Sequence, residues 1–454
     1  MSQIHPTSAE PVDEQGVLFE MPVSQEIAAT APLARSPRVN RPDRAQALLM
    51  PMQFDTLIPE DHQARAVWEF TESVDLSPLY QEILAVEGCA GRSATDPQIL
   101  LALWLYATLD RVGSARHLAE LCQDHNAYRW LCGGVSVNHH TLSDFRTARG
   151  DFLDKLLTHS VATLRAEGLV EIKRVAQDGL RVRASAGASS FRRRPTLEEA
   201  LREAEEQVQA LRAELQADPG AGHRRQQQAR VRAARERAER IRHALEQMPE
   251  VEAQKKANRK DASTARVSTT DPEARVMKMP DGGFRPAYNV QLATETASQV
   301  IVGVDVVNAG SDQGQMKPMA EQIQERHGPM PPAMLVDGGF VTHDDIEALT
   351  DQDCLVYAPV PEPRTAARQA TEARRDDPPA VAAWRQRMGT AEAKVLYKER
   401  ASTAECVNAQ ARNRGLYRFL VRGLTKVRVV ALWYAVAHNL RRLVTLRAAR
   451  LAQT

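Results

Sequence analysis

A chain of 454 residues is too long for one hydrophobic core, which seldom grows beyond about 250–300 residues, so two or three domains are expected. Apolar residues at 43% and charged residues at 26% exclude wholesale disorder, and no stretch nears the roughly 18–20 apolar residues of a membrane span; the best candidate, 429–437, stops at His438 and runs into Arg441 and Arg442. The net charge of +1 conceals two basic stretches, 173–194 and 398–450, which suit a protein that meets nucleic acid along one face, or a solvated helix surface.

Residues 1–45 have the Pro, Ser, Glu and Ala bias of a disordered tail. No basic region followed by an apolar core begins the chain, so no secretory signal is expected and the protein is placed in the cytoplasm. Cys89, Cys122, Cys132, Cys354 and Cys406 are odd in number and lack a CxxC spacing, which argues against a disulfide framework and a zinc site. From 46 to 168 the pattern is helical. Asp96 and Pro97 open one helix, with Ile99, Leu100, Leu103 and Tyr106 at helical spacing; 114–122 and 141–164 read as two more, the last capped by Thr141 or a neighbour. Short helices joined by turns at 111–113 and 133–138 suit an all-α DNA-binding domain of the helix-turn-helix kind, although most small helical domains read no DNA.

Beyond 169 the pattern changes. The segments 171–184, 287–296, 300–307, 333–336 and 355–360 are short, rich in Val and Ile and bounded by Gly or Pro, which predicts five strands. Helices are predicted at 313–326, 343–350 and from about 391 onward. Strands first, then strands alternating with helices, imply an α/β domain over 169–445 with a mixed five-stranded sheet, leaving 446–454 as a C-terminal tail. An insertion at 195–262 interrupts it. Leu197, Leu201, Ala204, Val208, Leu211 and Leu215, then Val231, Ala234, Ala238, Ile241, Leu245 and Met248, alternate spacings of three and four, so two amphipathic helices are expected to fold back as an antiparallel hairpin. Thr196 with Glu199 is a candidate capping box, and 218–220 (Asp-Pro-Gly) supplies the break. Packing is the plain reading of this hairpin; its arginines from Arg224 to Arg242 make contact with a DNA backbone the alternative.

Three acids stand in suggestive settings: Asp178 in Val-Ala-Gln-Asp-Gly-Leu-Arg-Val, Asp337 in Met-Leu-Val-Asp-Gly-Gly-Phe, and Glu405 in Tyr-Lys-Glu-Arg-Ala-Ser-Thr-Ala-Glu. Singly each is weak, because Asp-Gly is a common turn dipeptide and a Glu on a basic helix is usually surface. Together they have a chemistry. Phosphodiester transfer by two metal ions needs hard oxygen ligands that hold two cations about 3.5–4 Å apart, and carboxylates from two strand ends and a helix can supply them. Arg412, seven residues after Glu405, falls on nearly the same helix face and could reach a phosphate. Among the competing acids, Asp312 with Ser311 reads as a helix cap, Asp305 alternates within a strand and Asp271 precedes Pro272 in a loop. His139 and His140 read as helix-start residues.

These residues resemble the DDE transposases of bacterial insertion sequences, in the branch whose third acid lies in a signature of Tyr, two residues, Arg, a short gap, Glu, six residues, then Lys or Arg. Tyr397, Arg400, Glu405 and Arg412 occupy those positions. In many relatives three residues separate the Arg from the Glu; here there are four. The segments 268–275, 288–291, 308–312 and 437–440 are similar too, as are Asp61-His62, Asp96-Pro97, 114–116 and 140–146 in the helical region, so that the resemblance covers about residues 41–443. It implies a ribonuclease-H-like core with the first three strands antiparallel, the next two parallel to the first, and the hairpin inserted between the first and second. It also implies two Mg²⁺ ions, with Mn²⁺ able to substitute, held by Asp178, Asp337 and Glu405, the catalytic acids, with Asp178 between both ions. Tyr397, Arg400 and Arg412 would contact DNA, the partners being terminal inverted repeats and target DNA bound by a homodimer at the nucleoid. The implied activity is metal-dependent strand cleavage and strand transfer. A metal-dependent nuclease or resolvase of the same fold, or an inactive transposase-derived DNA-binding protein, are the rival readings.

Overall fold

The computed structural model describes residues 53–85, 93–217, 224–362 and 370–453; the tail expected at 1–45 and the break expected at 218–220 lie outside them. Seven helices come first among the described residues: α1 (Gln63–Glu72), α2 (Ser77–Tyr80), α3 (Pro97–Leu109), α4 (Ala115–Asp124), α5 (Asn126–Cys132), α6 (His139–Ala148) and α7 (Gly150–Ala166). Asp96 caps α3 by accepting from the Gln98 amide at 2.8 Å, and Ser114 and Asn138 cap α4 and α6 in the same way. The single helix expected over 141–164 is two, because Arg149 leaves helical geometry (φ −114°, ψ 38°) and lets the chain turn between Ala148 and Gly150. Every residue of α3 from Ile99 to Ala107 is buried, so this helix has to be packed on all sides.

Eight strands follow: β1 (Arg174–Arg183), β2 (Phe191–Arg192), β3 (Val267–Ser268), β4 (Arg275–Lys278), β5 (Phe284–Glu295), β6 (Ile301–Val307), β7 (Ala333–Leu335) and β8 (Leu355–Tyr357). The main sheet runs β4-β5-β1-β7-β8, with β6 also on β5. β5 is antiparallel to both β1 and β6, its two long partners, while β7 is parallel to β1 and β8 to β7. Five of the six strands lie where the sequence predicts them. The sixth, β4, is a short addition that pairs Arg275–Lys278 with the start of β5 through a turn at Gly282 (φ 81°), and its four residues are too few for alternation to stand out.

Helices α10 (Met316–His327), α11 (His343–Thr350) and α12 (Pro379–Gly389) cover one face of the sheet, through Met319, Ile323, Ile346 and Trp384 against Val302, Met334 and Val356. The other face meets α13 (Ala391–Arg400), a π-helical turn (Ala401–Glu405), α14 (Cys406–Asn413) and α15 (Leu424–Leu451). Between β2 and β3, which pair with each other, α8 (Arg194–Ala217) and α9 (Arg224–Ala257) form the inserted hairpin. Leu197, Ala204, Ala238, Ile241 and Met248 make its seam, and Arg194–Glu252 (2.9 Å) with Arg242–Glu205 (2.7 Å) fix the antiparallel register. The capping box expected at Thr196 is not formed: α8 already begins at Arg194, where Pro195 sets the first turn and needs no amide partner.

α15 ties the two regions together. Its residues from Val429 to Leu440 are all buried, and they share one hydrophobic core with α3, α7 and the β1–β5–β6 face. The last residues, expected as a tail, continue this helix because Arg447 pairs with Glu167 at 2.6 Å and Arg450 donates to the Glu167 carbonyl. Asn439 docks the helix on the sheet: its side chain accepts from the Ile301 amide (2.9 Å) and donates to the Ile301 carbonyl (2.8 Å). Replacing Asn439 with Ala leaves both buried groups without partners and should cost about 2–4 kcal/mol, seen as a lowered denaturant midpoint. No described helix is long and apolar enough to cross a membrane.

Candidate active site

Asp178 sits in the interior of β1, paired across to Leu292, and Gly179 pairs with Gln291, so this Asp-Gly is part of a strand and not a turn. Gly179 is required there: a Cβ would stand 2.2 Å from Asp312 Oδ1 and 2.8 Å from Asn289 Oδ1. Asp337 lies two residues beyond β7, where its Oδ1 accepts from the Gly339 amide at 2.7 Å and so does serve a turn. Glu405 ends the π-helical turn between α13 and α14.

The three carboxylates meet at one guanidinium. Arg400 Nη2 lies 3.2 Å from Asp178 Oδ1 and 3.7 Å from Asp337 Oδ2, and its Nη1 lies 3.3 Å from Glu405 Oε1. Arg400 is 8% exposed, while the Glu405 side chain is 60% exposed, so the cluster is buried on the Asp178 side and open on the other. Four residues between Arg400 and Glu405 would put them about 140° apart on a regular α-helix. The π-helical turn at Ala401–Glu405 takes up the extra residue and restores their facing.

Burial pushes the Asp178 carboxyl above its ordinary range; Arg400 opposes that shift and the Asp337 charge adds to it. Asp178 Oδ2 also accepts from Asn408 Nδ2 at 3.0 Å. Asn408 was not singled out by sequence; its one signal is a place three residues after Glu405, on the same helix face. Tyr397, half-buried one turn before Arg400, has its phenol raised, first by burial, while Arg400 pulls the other way and the three carboxylates add to the rise. Arg412 is exposed near the end of α14 and does not join the cluster.

The competing acids lie elsewhere or do other work. Asp271 is fully buried and accepts from the Tyr288 hydroxyl (2.7 Å) and the Gly423 amide (3.1 Å), and Glu273 accepts from the Leu424 amide, so this loop caps α15 from a distance. Asp305 pairs with Arg428. Asp312 is no helix cap, since α10 begins only at Met316; its Oδ1 accepts from Asn289 Nδ2 (2.6 Å) and Gln291 Nε2 (2.8 Å), directly beneath Gly179. α6 does begin at His139.

Among the described residues no three Asp, Glu, His or Cys side chains close directly on one point, because the guanidinium stands between these three. The donor set nevertheless fits a hard divalent cation: three carboxylates, delivered by three different elements, are already turned toward one positive charge.

A family model described as Transposase domain (DUF772) matches residues 52–148, which span α1 to α6. A second, described as Transposase DDE domain, matches residues 360–444, which include Tyr397, Arg400, Glu405, Asn408 and Arg412. Comparison with curated proteins and with solved structures gives no match. Two transposase domains in this order on one chain, the second carrying the arginine on which the acids converge, identify the protein as a DNA transposase of the insertion-sequence DDE type.

Proposed function

We propose that this transposase cuts and joins DNA at the ends of its insertion sequence with Asp178, Asp337 and Glu405 as the catalytic acids, on a sheet of the ribonuclease-H-like kind. The observation that carries this reading is the convergence on Arg400 of three carboxylates separated by 159 and 68 positions in the chain. The three acids would hold two Mg²⁺ ions, or Mn²⁺ in their place. Such ions, when bound, make water or a 3′ hydroxyl a better nucleophile and neutralise the oxygen that leaves.

The chain's own groups do the positioning. Asn408, donating to Asp178, fixes the direction of that carboxylate. Arg400 and Arg412 bind phosphate oxygens, and Tyr397 contacts the sugar–phosphate backbone. In the first reaction a water oxygen bonds to phosphorus and the 3′ oxygen of the element end departs as a hydroxyl. In the second that hydroxyl bonds to a target phosphorus and displaces a target 3′ oxygen, so one phosphodiester replaces another. The helical region and the basic C-terminal segment hold the element end, and two copies of the chain pair two ends.

The test is direct. Purified protein, a labelled duplex carrying the element's terminal inverted repeat, a target plasmid and Mg²⁺ should give a nicked end and then a joined product, with neither in chelator. Nicking that never leads to joining would make the protein a nuclease instead, and no cleavage of either repeat would refute the reading.

A further inference from the structure

Two adjoining cavities lie between the helical region and the segment that follows α14. The first, about 530 Å³, is lined by Arg111, Arg146, Arg183, Arg412, Arg414 and Arg418 and by no Asp or Glu. The second, about 520 Å³, shares Arg111 and Arg414 with it, adds Arg441, and again has no acid in its wall. Arg146 is engaged within the fold, donating to the Gly113 carbonyl and lying 4.7 Å over the Trp104 ring. The other six guanidinium groups have no hydrogen bond or ion pair among the described residues, and Arg414 Nη1 is buried with no partner at all. Arg65 and Arg447, by contrast, are paired, with Asp55 and Glu167. Six unpaired like charges lining two adjoining cavities repel each other, and a phosphate polymer is the ligand that relieves this with bidentate contacts.

The cleft is built and not a loose surface. The Arg183 amide donates to the Tyr417 carbonyl (3.0 Å) and the Phe419 amide to the Arg183 carbonyl (2.8 Å), which fastens the 414–420 segment to the far end of β1. It also connects to the acids along two elements. Arg412 is seven residues from Glu405 along α14, about 10 Å at helical rise, and Arg183 is five residues from Asp178 along β1, about 17 Å at strand rise. Successive phosphates on one strand of a duplex advance about 3.4 Å, so these distances correspond to about three to five nucleotides.

We infer that this arginine cleft is a binding site for the DNA sugar–phosphate backbone, seating the strand three to five nucleotides from the bond that the acids address. The inference rests on the transposase reading and adds to it a site that joins the helical region to the catalytic one. It takes backbone, not base sequence, because guanidinium groups aimed at phosphates carry no base readout.

The test combines Arg183→Gln, Arg414→Gln and Arg418→Gln, none of which touches the acid cluster, and measures affinity for a labelled terminal-repeat duplex and a random duplex from 50 to 200 mM KCl. Each lost phosphate contact lowers the slope of log affinity against log salt by about 0.9, so the triple variant should lose about 2.7 of that slope, and over this range the wild type should weaken about 40-fold more than the variant. Both duplexes should respond alike. Partial misfolding lowers the binding-competent fraction without moving the slope, and if the triple variant does not fold, each single variant should still show a decrease of about 0.9. A variant slope equal to that of wild type, or a loss confined to the terminal-repeat duplex, overturns the inference while leaving the transposase reading intact. A wild-type protein that binds neither duplex overturns both.

Discussion

Asp178→Asn should lower nicking and joining of the labelled element end by about 10³-fold or more, the scale of removing one group that stabilises a transition state, while DNA affinity changes little. Of the three acids Asp178 is the most enclosed: it lies inside β1, is the nearest of the three to Arg400, and alone takes a hydrogen bond from Asn408. The Asn side chain has nearly the same shape, so the strand should keep its register and the effect should be on chemistry. Gel separation of nicked and joined products, with binding measured on the same preparation, reads both quantities. Undiminished nicking in Asp178→Asn removes that residue from the proposed site; the same measurement applies to Asp337→Asn and Glu405→Gln.

Arg400→Gln should have the second largest effect, and it should show first in stability. Arg400 is the counter-charge to all three carboxylates, and deleting it leaves the enclosed Asp178 carboxylate uncompensated, at a cost of about 2–4 kcal/mol. Because the guanidinium and divalent cations are proposed to share the same oxygens, Mg²⁺ should raise the melting temperature of Arg400→Gln more than that of the wild type. Melting curves in chelator and in Mg²⁺ give the comparison. Equal Mg²⁺ shifts for the two proteins would show that arginine and metal do not compete for these acids.

Much of the sheet was legible because its strands are short apolar runs with clear ends: β1, β6, β7 and β8 fall within the segments read from Val and Ile content, and β5 overlaps its segment but begins three residues earlier, at Phe284. The hairpin was legible from its seam, since Leu197 and Ile241 repeat a spacing that only a pair of packed helices uses. What escaped depends on contacts across the chain. Ser311-Asp312 looked like a cap, yet the partners of Asp312 are Asn289 and Gln291, which a strand brings up from about twenty residues away. Asn408 carried too little signal to be chosen, as an amide acquires a role at a site only through what faces it. The two-helix form of 139–166 turns on one backbone angle at Arg149, which side-chain periodicity does not report.

The wide turn at Ala401–Glu405 bears on how such sites are recognised. The stretch joining this cation to its acid is one residue longer than facing on a regular α-helix allows, and the helix absorbs it by loosening a single loop of its coil, so the groups still confront each other. Counting positions along a chain is therefore a poor ruler for what must be close in space: a search pattern with a rigid gap would pass over this protein, whereas one that tolerates slack of one residue would find it.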